Sequence, residues 1–345
     1  LMLTVPPSGC NSACTDLVTM PNPAAAPHAE SVAPLSGNEP LFIVFNGGSG
    51  NDDAAETRNR MEARLSEAGR AYTIFAVDRP GQLPQIAEMA VERARQANGV
   101  VVAAGGDGTL NAVAAAVLPT GLPFGILPRG TFNYFGRTYG ISRETEEAVA
   151  SLLDARIEPV QVGLLDGRPF LVNASLGLYP QLLEDREVYK KMLGRRRWVA
   201  LLSALITLAR APAQLTLELL SHGQQQVLRT PTLVVGNNSL QLEQIGIPEV
   251  AHLEDNRLVA MIAKPVGTLA LYGLLLMGAI GRLGDTSRVI SFSFETLTVR
   301  VRGRRRIKVA MDGEIHWART PLHFAVSPKR LQLLIPRDKS RLDRS

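Results

Sequence analysis

The chain has 345 residues, 46% of them hydrophobic and 20% charged, enough to build the cores of about two domains. Aromatic residues make up only 5%, which argues against a stacking platform for single-stranded nucleic acid. The formal charge of +5 suits an anionic partner, and the only two cysteines, Cys10 and Cys14, exclude a disulfide framework or a cysteine metal site.

Residues 1–38 are rich in Pro, Ala and Ser and are expected to be a disordered tail, because they bury too little to offset ordering entropy. They lack the basic start and continuous apolar run of a secretory leader. Order is expected to begin with the apolar run at 41–45, a buried strand that ends in Asn46-Gly47-Gly48-Ser49-Gly50. Helical spacing follows at 54–68 with Gly69 as its stop, then a strand at 71–77, a helix at 83–96 and a strand at 99–104. Alternating strands and helices predict a parallel sheet with crossover helices.

From about residue 160 the pattern changes. Segments 160–165 and 168–173 flank Asp166-Gly167, a strong hairpin signal. Further strands are expected at 214–220, 226–235, 257–263, 289–294, 296–301, 306–311, 322–326 and 331–335. The expected fold class is α/β with two domains. Residues 39–158 form a three-layer α/β nucleotide-binding domain and 159–325 a largely antiparallel β-sandwich, while 326–345 are a C-terminal segment returning to the first domain before a tail. The uncharged stretch 265–281 is only marginally long enough to span a bilayer, and its glycines favour a packed or membrane-facing helix.

The strongest local signal is Gly105-Gly106-Asp107-Gly108-Thr109, set between an apolar strand and the helical spacing of 110–118. Glycines let the backbone approach a phosphate, and a helix N-terminus offers free N–H groups and partial positive charge. The plainer reading is a tight turn with Thr109 as an ordinary cap. A second glycine turn in the stretch 125–135 and the loop after the first strand open onto the same sheet edge, where ligands of parallel sheets bind.

With the late Asp312-Gly313-Glu314, these motifs make residues 41–336 resemble the bacterial lipid kinases with a diacylglycerol-kinase-type catalytic domain, relatives of sphingosine and ceramide kinases. Gly-Gly-Asp-Gly-Thr alone is shared with NAD kinases and phosphofructokinases. The resemblance implies that Asn46, Gly47, Gly48, Ser49, Gly50, Gly105, Gly106, Asp107, Gly108, Thr109 and Thr131 bind ATP. This sequence departs from the family at Gly47, where Pro is frequent, and at Tyr134, where an Asp is usual.

Phosphoryl transfer to a hydroxyl needs a positioned base and magnesium. By residues alone, Asp312-Gly313-Glu314 reads equally as a solvated hairpin turn or as two carboxylates aimed into a cleft. The resemblance matches Asp312 to the general base and Glu314 to its acidic neighbour, with Asp107 on the nucleotide–magnesium side. The loop at 253–258 reads as an Asx turn. The resemblance makes it a structural magnesium site formed by Asp255 and the carbonyls of His252 and Arg257. The five histidines show no metal spacing and are expected to be structural or exposed.

Six basic residues lie between Glu295 and Asp312 with no acid among them, and Arg195-Arg196-Arg197 precedes Trp198 and an apolar run at 199–209. Both patterns suit an anionic membrane surface, or equally a solvated basic face. The expectation is an ATP- and magnesium-dependent kinase of a membrane lipid hydroxyl, cytoplasmic and peripheral to the inner face of the membrane. It has no nucleic-acid partner, and homodimerisation is left open. The alternatives are an NAD-kinase-like enzyme with a soluble substrate, or a lipid-binding protein that has lost catalysis.

Overall fold

The computed structural model describes residues 35–48, 54–129, 133–184, 214–221, 223–244, 253, 256–265 and 289–338. All of them fall in one compact unit. The expected disordered tail, the triplet Arg195-Arg196-Arg197 with its apolar run, and the uncharged stretch after Pro265 lie outside the described residues.

The first sheet takes its interior from two short apolar runs, β1 (Leu41–Phe45) and β3 (Val100–Gly105), whose residues are all buried. Continuous apolar character without alternation is what a strand covered on both faces requires. With β2 (Tyr72–Ala76), β4 (Pro123–Pro128), β5 (Ala155–Val160) and β18 (Leu331–Pro336) the order is β2-β1-β3-β4-β18-β5. The pairs up to β18 are parallel and only β5 runs antiparallel, against β18. Helices α1 (Ala54–Glu67), α2 (Leu83–Gln96) and α3 (Asp107–Val117) supply the crossovers, while α4 (Tyr134–Thr138) and α5 (Thr145–Leu153) lead from β4 into the antiparallel β5. On α2 the buried residues Leu83, Ala87, Ala90, Val91 and Ala94 recur at helical spacing and join the sheet's core.

The remaining strands form two antiparallel sheets. One has the order β10-β9-β14-β17-β6-β7, with β6 (Gly163–Leu165), β7 (Arg168–Phe170), β9 (Leu215–Ser221), β10 (Gln224–Thr230), β14 (Thr296–Val301) and β17 (Leu322–Val326). The other has the order β13-β12-β11-β8-β15-β16, with β8 (Asn173–Gly177), β11 (Thr232–Gly236), β12 (Leu258–Ala263), β13 (Val289–Phe294), β15 (Arg306–Met311) and β16 (Glu314–Arg319). Leu215, Leu217 and Leu219 alternate inward from β9 and share one core with Leu233, Ile307 and Val309 from the facing sheet. Two sheets closed over one apolar layer make a sandwich.

Three expected elements differ. The strand expected at 226–235 is two strands, β10 and β11, divided at Pro231 and belonging to different sheets. Proline supplies no N–H to a ladder, so the chain changes sheet there. The strand expected at 168–173 likewise splits into β7 and β8. The segment after Asp312 is not merely a turn but opens β16, whose mixed polar sequence hides its strand character.

Candidate active site

Three strand ends of the first sheet meet on one rim, and side chains tie them together. The Asn46 N–H donates to the Ala104 carbonyl at 2.9 Å, joining the end of β1 to β3. The Asn46 side-chain amide donates to Thr109 Oγ1 at 2.9 Å, while its Oδ1 accepts the Gly48 N–H at 3.1 Å. From β4, the Arg129 N–H donates to the Gly105 carbonyl at 2.9 Å. Its guanidinium donates to the Asn46 carbonyl at 3.2 Å and lies 5.2 Å from the Phe45 ring centroid. Arg129 is thus a structural tie of the rim that the glycines and hydroxyls overshadow in the sequence.

Gly106 is the N-cap of α3, so Asp107 and Gly108 occupy its first turn. The Thr109 N–H already donates to the Gly106 carbonyl at 2.9 Å, so the amides that helix geometry leaves for an anion are those of the residues before it. Thr109 is buried and makes no side-chain cap; its hydroxyl receives Asn46 instead. A side chain on Gly105 would meet Thr109 Oγ1 at 2.6 Å, so the tight packing of this turn depends on a residue without Cβ. Ser49, Gly50 and Thr131 lie outside the described residues; Asn46, Gly47, Gly48 and residues 105–109 are within them.

The second group comes from the sandwich. Asp312, at φ 46°, turns the chain from β15 into β16. Its Oδ2 accepts the Leu171 N–H at 2.7 Å and the Asn111 side-chain amide from α3. Its Oδ1 accepts the N–H groups of Val172 at 2.8 Å and Asn173 at 3.0 Å. One carboxylate therefore gathers three consecutive amides leading into β8 and a side chain from α3. Burial outweighs these four donors and holds the Asp312 carboxyl above its ordinary range.

Glu314 stands on the other side of Gly313. Its carboxylate lies against Gly108, where a Cβ would overlap Glu314 Oε1. Glu314 Oε2 is 3.9 Å from His316 Nε2. A cleft of about 210 Å³ is lined by Gly108, Asn111, Arg168, Met311, Glu314 and His316. A second, of about 270 Å³, shares Arg168, Met311 and His316 with it and continues between β7 and β16 towards Trp317 and Arg319. These two strands are the terminal strands of their sheets, which leaves the sandwich open along this side. His316, expected to be structural or exposed, lines both clefts, and Arg168 gave no sequence signal of its own.

Asp107 completes the group. Burial first and the neighbouring Asp312 second raise its carboxyl from 3.8 to about 6. The folded protein binds this proton more tightly than the unfolded chain, so stability declines as pH rises from about 4 to about 6 and stays lower above. The shift is worth on the order of 3 kcal/mol. Asp107→Asn is expected to flatten that decline, measured as urea midpoints at pH 4.5 and 7.5. An equal decline in the variant would place the buried charge elsewhere.

Carboxylate oxygen is the donor chemistry of magnesium, and a crowded pair of desolvated carboxylates beside an anion site fits a cation. Asp312 has its lone pairs engaged, which leaves Asp107 to hold one. For the second metal expectation, His252 and Asp255 lie outside the described residues, and the Arg257 carbonyl accepts the Gln161 side-chain amide at 3.0 Å. Among the described residues no three His, Cys, Asp or Glu side chains are grouped to hold a metal. Nor is any described helix long and apolar enough to cross a membrane.

Residues 40–165 match the family described as the diacylglycerol kinase catalytic domain. A diacylglycerol kinase of Staphylococcus haemolyticus (strain JCSC1435) is 24% identical over 303 residues, covering 86% of this chain and 88% of its own length. A protein of Pseudomonas aeruginosa (strain UCBPP-PA14) named "Probable lipid kinase YegS-like" is 29% identical over 321 residues, covering 86% of this chain and 94% of its own length. Among solved structures, a diacylglycerol kinase from Bacillus anthracis str. Sterne superposes with a TM-score of 0.63 at 18% identity, over 87% of this chain and 97% of that one. That last likeness bears on the fold alone.

Proposed function

We propose that this chain, whose residues 40–165 match the diacylglycerol kinase catalytic domain, is a lipid kinase that transfers the γ-phosphate of ATP to the hydroxyl of a membrane lipid. The carrying observation is the contact of Glu314 with Gly108, which brings the open cleft of the sandwich to the first turn of α3. A phosphate seated on the amides of that turn and a hydroxyl entering between β7 and β16 would meet beside Glu314.

In this reading Asn46, Gly47, Gly48 and the glycines at 105, 106 and 108 let the backbone close on the nucleotide, with Thr109 and Arg129 holding the rim in shape. The loop residues Ser49 and Gly50 and the hydroxyl of Thr131 complete the nucleotide set. Magnesium, when bound, offsets phosphate charge beside Asp107. A structural magnesium at Asp255 and the carbonyls of His252 and Arg257 remains part of the proposal.

Glu314, rather than Asp312, takes the proton from the acceptor hydroxyl. An ionised carboxylate has about four lone-pair sites, and Asp312 has four donors on them. Asp312 is then a positioning residue that fixes the turn carrying Glu314. The enzyme works from the cytoplasmic side, where ATP is available, on a lipid presented at the bilayer surface.

The test is phosphate transfer from labelled ATP over a panel of diacylglycerol, ceramide, a sphingoid base and phosphatidylglycerol in mixed micelles, with NAD as the soluble control. Magnesium-dependent label in one lipid and none in NAD is expected. Label in NAD alone, or in nothing, would overturn the proposal.

A further inference from the structure

We propose that the outer face of the β15–β16 hairpin is a docking surface for an anionic lipid bilayer. Its purpose rests on the lipid kinase reading, but the surface itself is read from the hairpin. The register pairs Arg306 with Arg319, Lys308 with Trp317 and Ala310 with Ile315. The intervening residues Ile307, Val309 and Met311 enter the sandwich core, so those three pairs share the opposite face. Ala310 is fully buried, so the open part of that face is the end with Arg306, Arg319 and Trp317.

Two features of that face are poorly explained by folding. Arg306 and Arg319 are both exposed and stand directly opposite one another, and like charges in a cross-strand pair are destabilising. Beside them Trp317 is 61% exposed, more than any other large hydrophobic residue of the described chain, with Lys308 Nζ 5.4 Å from its ring centroid. The exposed Arg304 and Arg305 precede β15 and add to the same end of the hairpin. The hairpin's own carboxylates, Asp312 and Glu314, are both at the far end, in the site.

Not all of the basic run belongs to this surface. Arg302 is bonded to Glu218 at 2.5 Å on the other sheet, and Arg300 stands opposite Glu218 in the register. Lys308 is paired with Glu184 at 2.5 Å. No carboxylate among the described residues is paired with Arg304, Arg305, Arg306 or Arg319. Unbalanced arginines around an exposed tryptophan match a surface with negative headgroups and a shallow apolar layer, because Trp settles at that boundary. A bare polyanion would answer the charges but not the ring. The cleft between β7 and β16 leads from Trp317 and Arg319 to Glu314, so docking here places the cleft's mouth at the membrane.

The experiment uses the full chain with Trp198→Phe, which leaves Trp317 as the only tryptophan. Phosphatidylcholine vesicles with and without phosphatidylserine are the probe. The parent is expected to bind only the anionic vesicles, with Trp317 emission shifting to the blue and becoming protected from aqueous acrylamide. The triple variant Arg304→Ala, Arg305→Ala, Arg306→Ala should bind about 100-fold more weakly at low salt, since each neutralised charge near such a surface is worth about fivefold. The difference should shrink at high salt. Its turnover on a short-chain, water-soluble diacylglycerol should equal the parent's, which also shows that it folds.

Equal vesicle binding by parent and triple variant would overturn the proposal, as would a Trp317 emission that neither shifts nor gains protection. Binding to single-stranded DNA as tight as to anionic vesicles would overturn it in favour of a nucleic-acid surface. Vesicle binding with the expected variant loss but no turnover of any lipid would uphold the docking surface and defeat the kinase reading.

Discussion

Glu314→Gln is expected to lower turnover by about 10²- to 10⁴-fold, the usual contribution of a positioned general base, while fold and ATP affinity persist. The amide keeps the shape of the side chain against Gly108 and removes only its ability to take a proton. Gly108→Ala approaches the same defect from the opposite wall. Its Cβ would overlap Glu314 Oε1, and because the Glu314 side chain is 59% exposed it can swing away at little energetic cost. That variant should therefore keep the thermal midpoint of the parent and lose turnover. Near-normal turnover in Glu314→Gln, with ATP binding intact, would remove Glu314 from the proton transfer.

The glycine-rich rim of the first sheet was legible in the sequence because its pattern is local. A glycine-rich turn between an apolar strand and a helix can be read within one window, and β1, β3 and α3 follow from uninterrupted apolar runs and helical spacing. The cleft beside it was not, because its residues meet only across the fold. Asn111 and Asp312 are 201 positions apart, and Arg168 reaches the cleft only because β7 ends one sheet opposite β16 at the end of the other. The strand β16 was hidden because Glu-Ile-His-Trp-Ala-Arg follows no clean alternation: one face lines a polar cleft and the other carries Trp317 and Arg319. Pro231 carried a signal that the apolar run around it masked, and reading it as a break would have separated β10 from β11. Nor could spacing tell which carboxylate of Asp312-Gly313-Glu314 is engaged, since that depends on where the amides of residues 171–173 point.

Asp312→Asn should unfold at a clearly lower denaturant concentration than the wild type, with an unchanged m-value. The substitution preserves size, and Asn tolerates the left-handed φ of 46° as Asp does, so backbone strain is not the cause. The cause is donor chemistry. Each carboxylate oxygen accepts two donors, and replacing either oxygen with NH₂ sets a donor against two donors. A buried polar group left without its partner costs about 1–3 kcal/mol, so two such losses amount to about 2–6 kcal/mol. Against a total of about 5–15 kcal/mol for a domain, that is a large fraction. Part of the loss is offset because the neutral amide escapes the burial that raises the Asp312 carboxyl. Turnover should also fall, since the turn that aims Glu314 is anchored by these bonds. The denaturant midpoint separates this positioning role from a direct one. A variant with wild-type stability and ATP affinity but turnover reduced by orders of magnitude would return the proton-accepting role to Asp312.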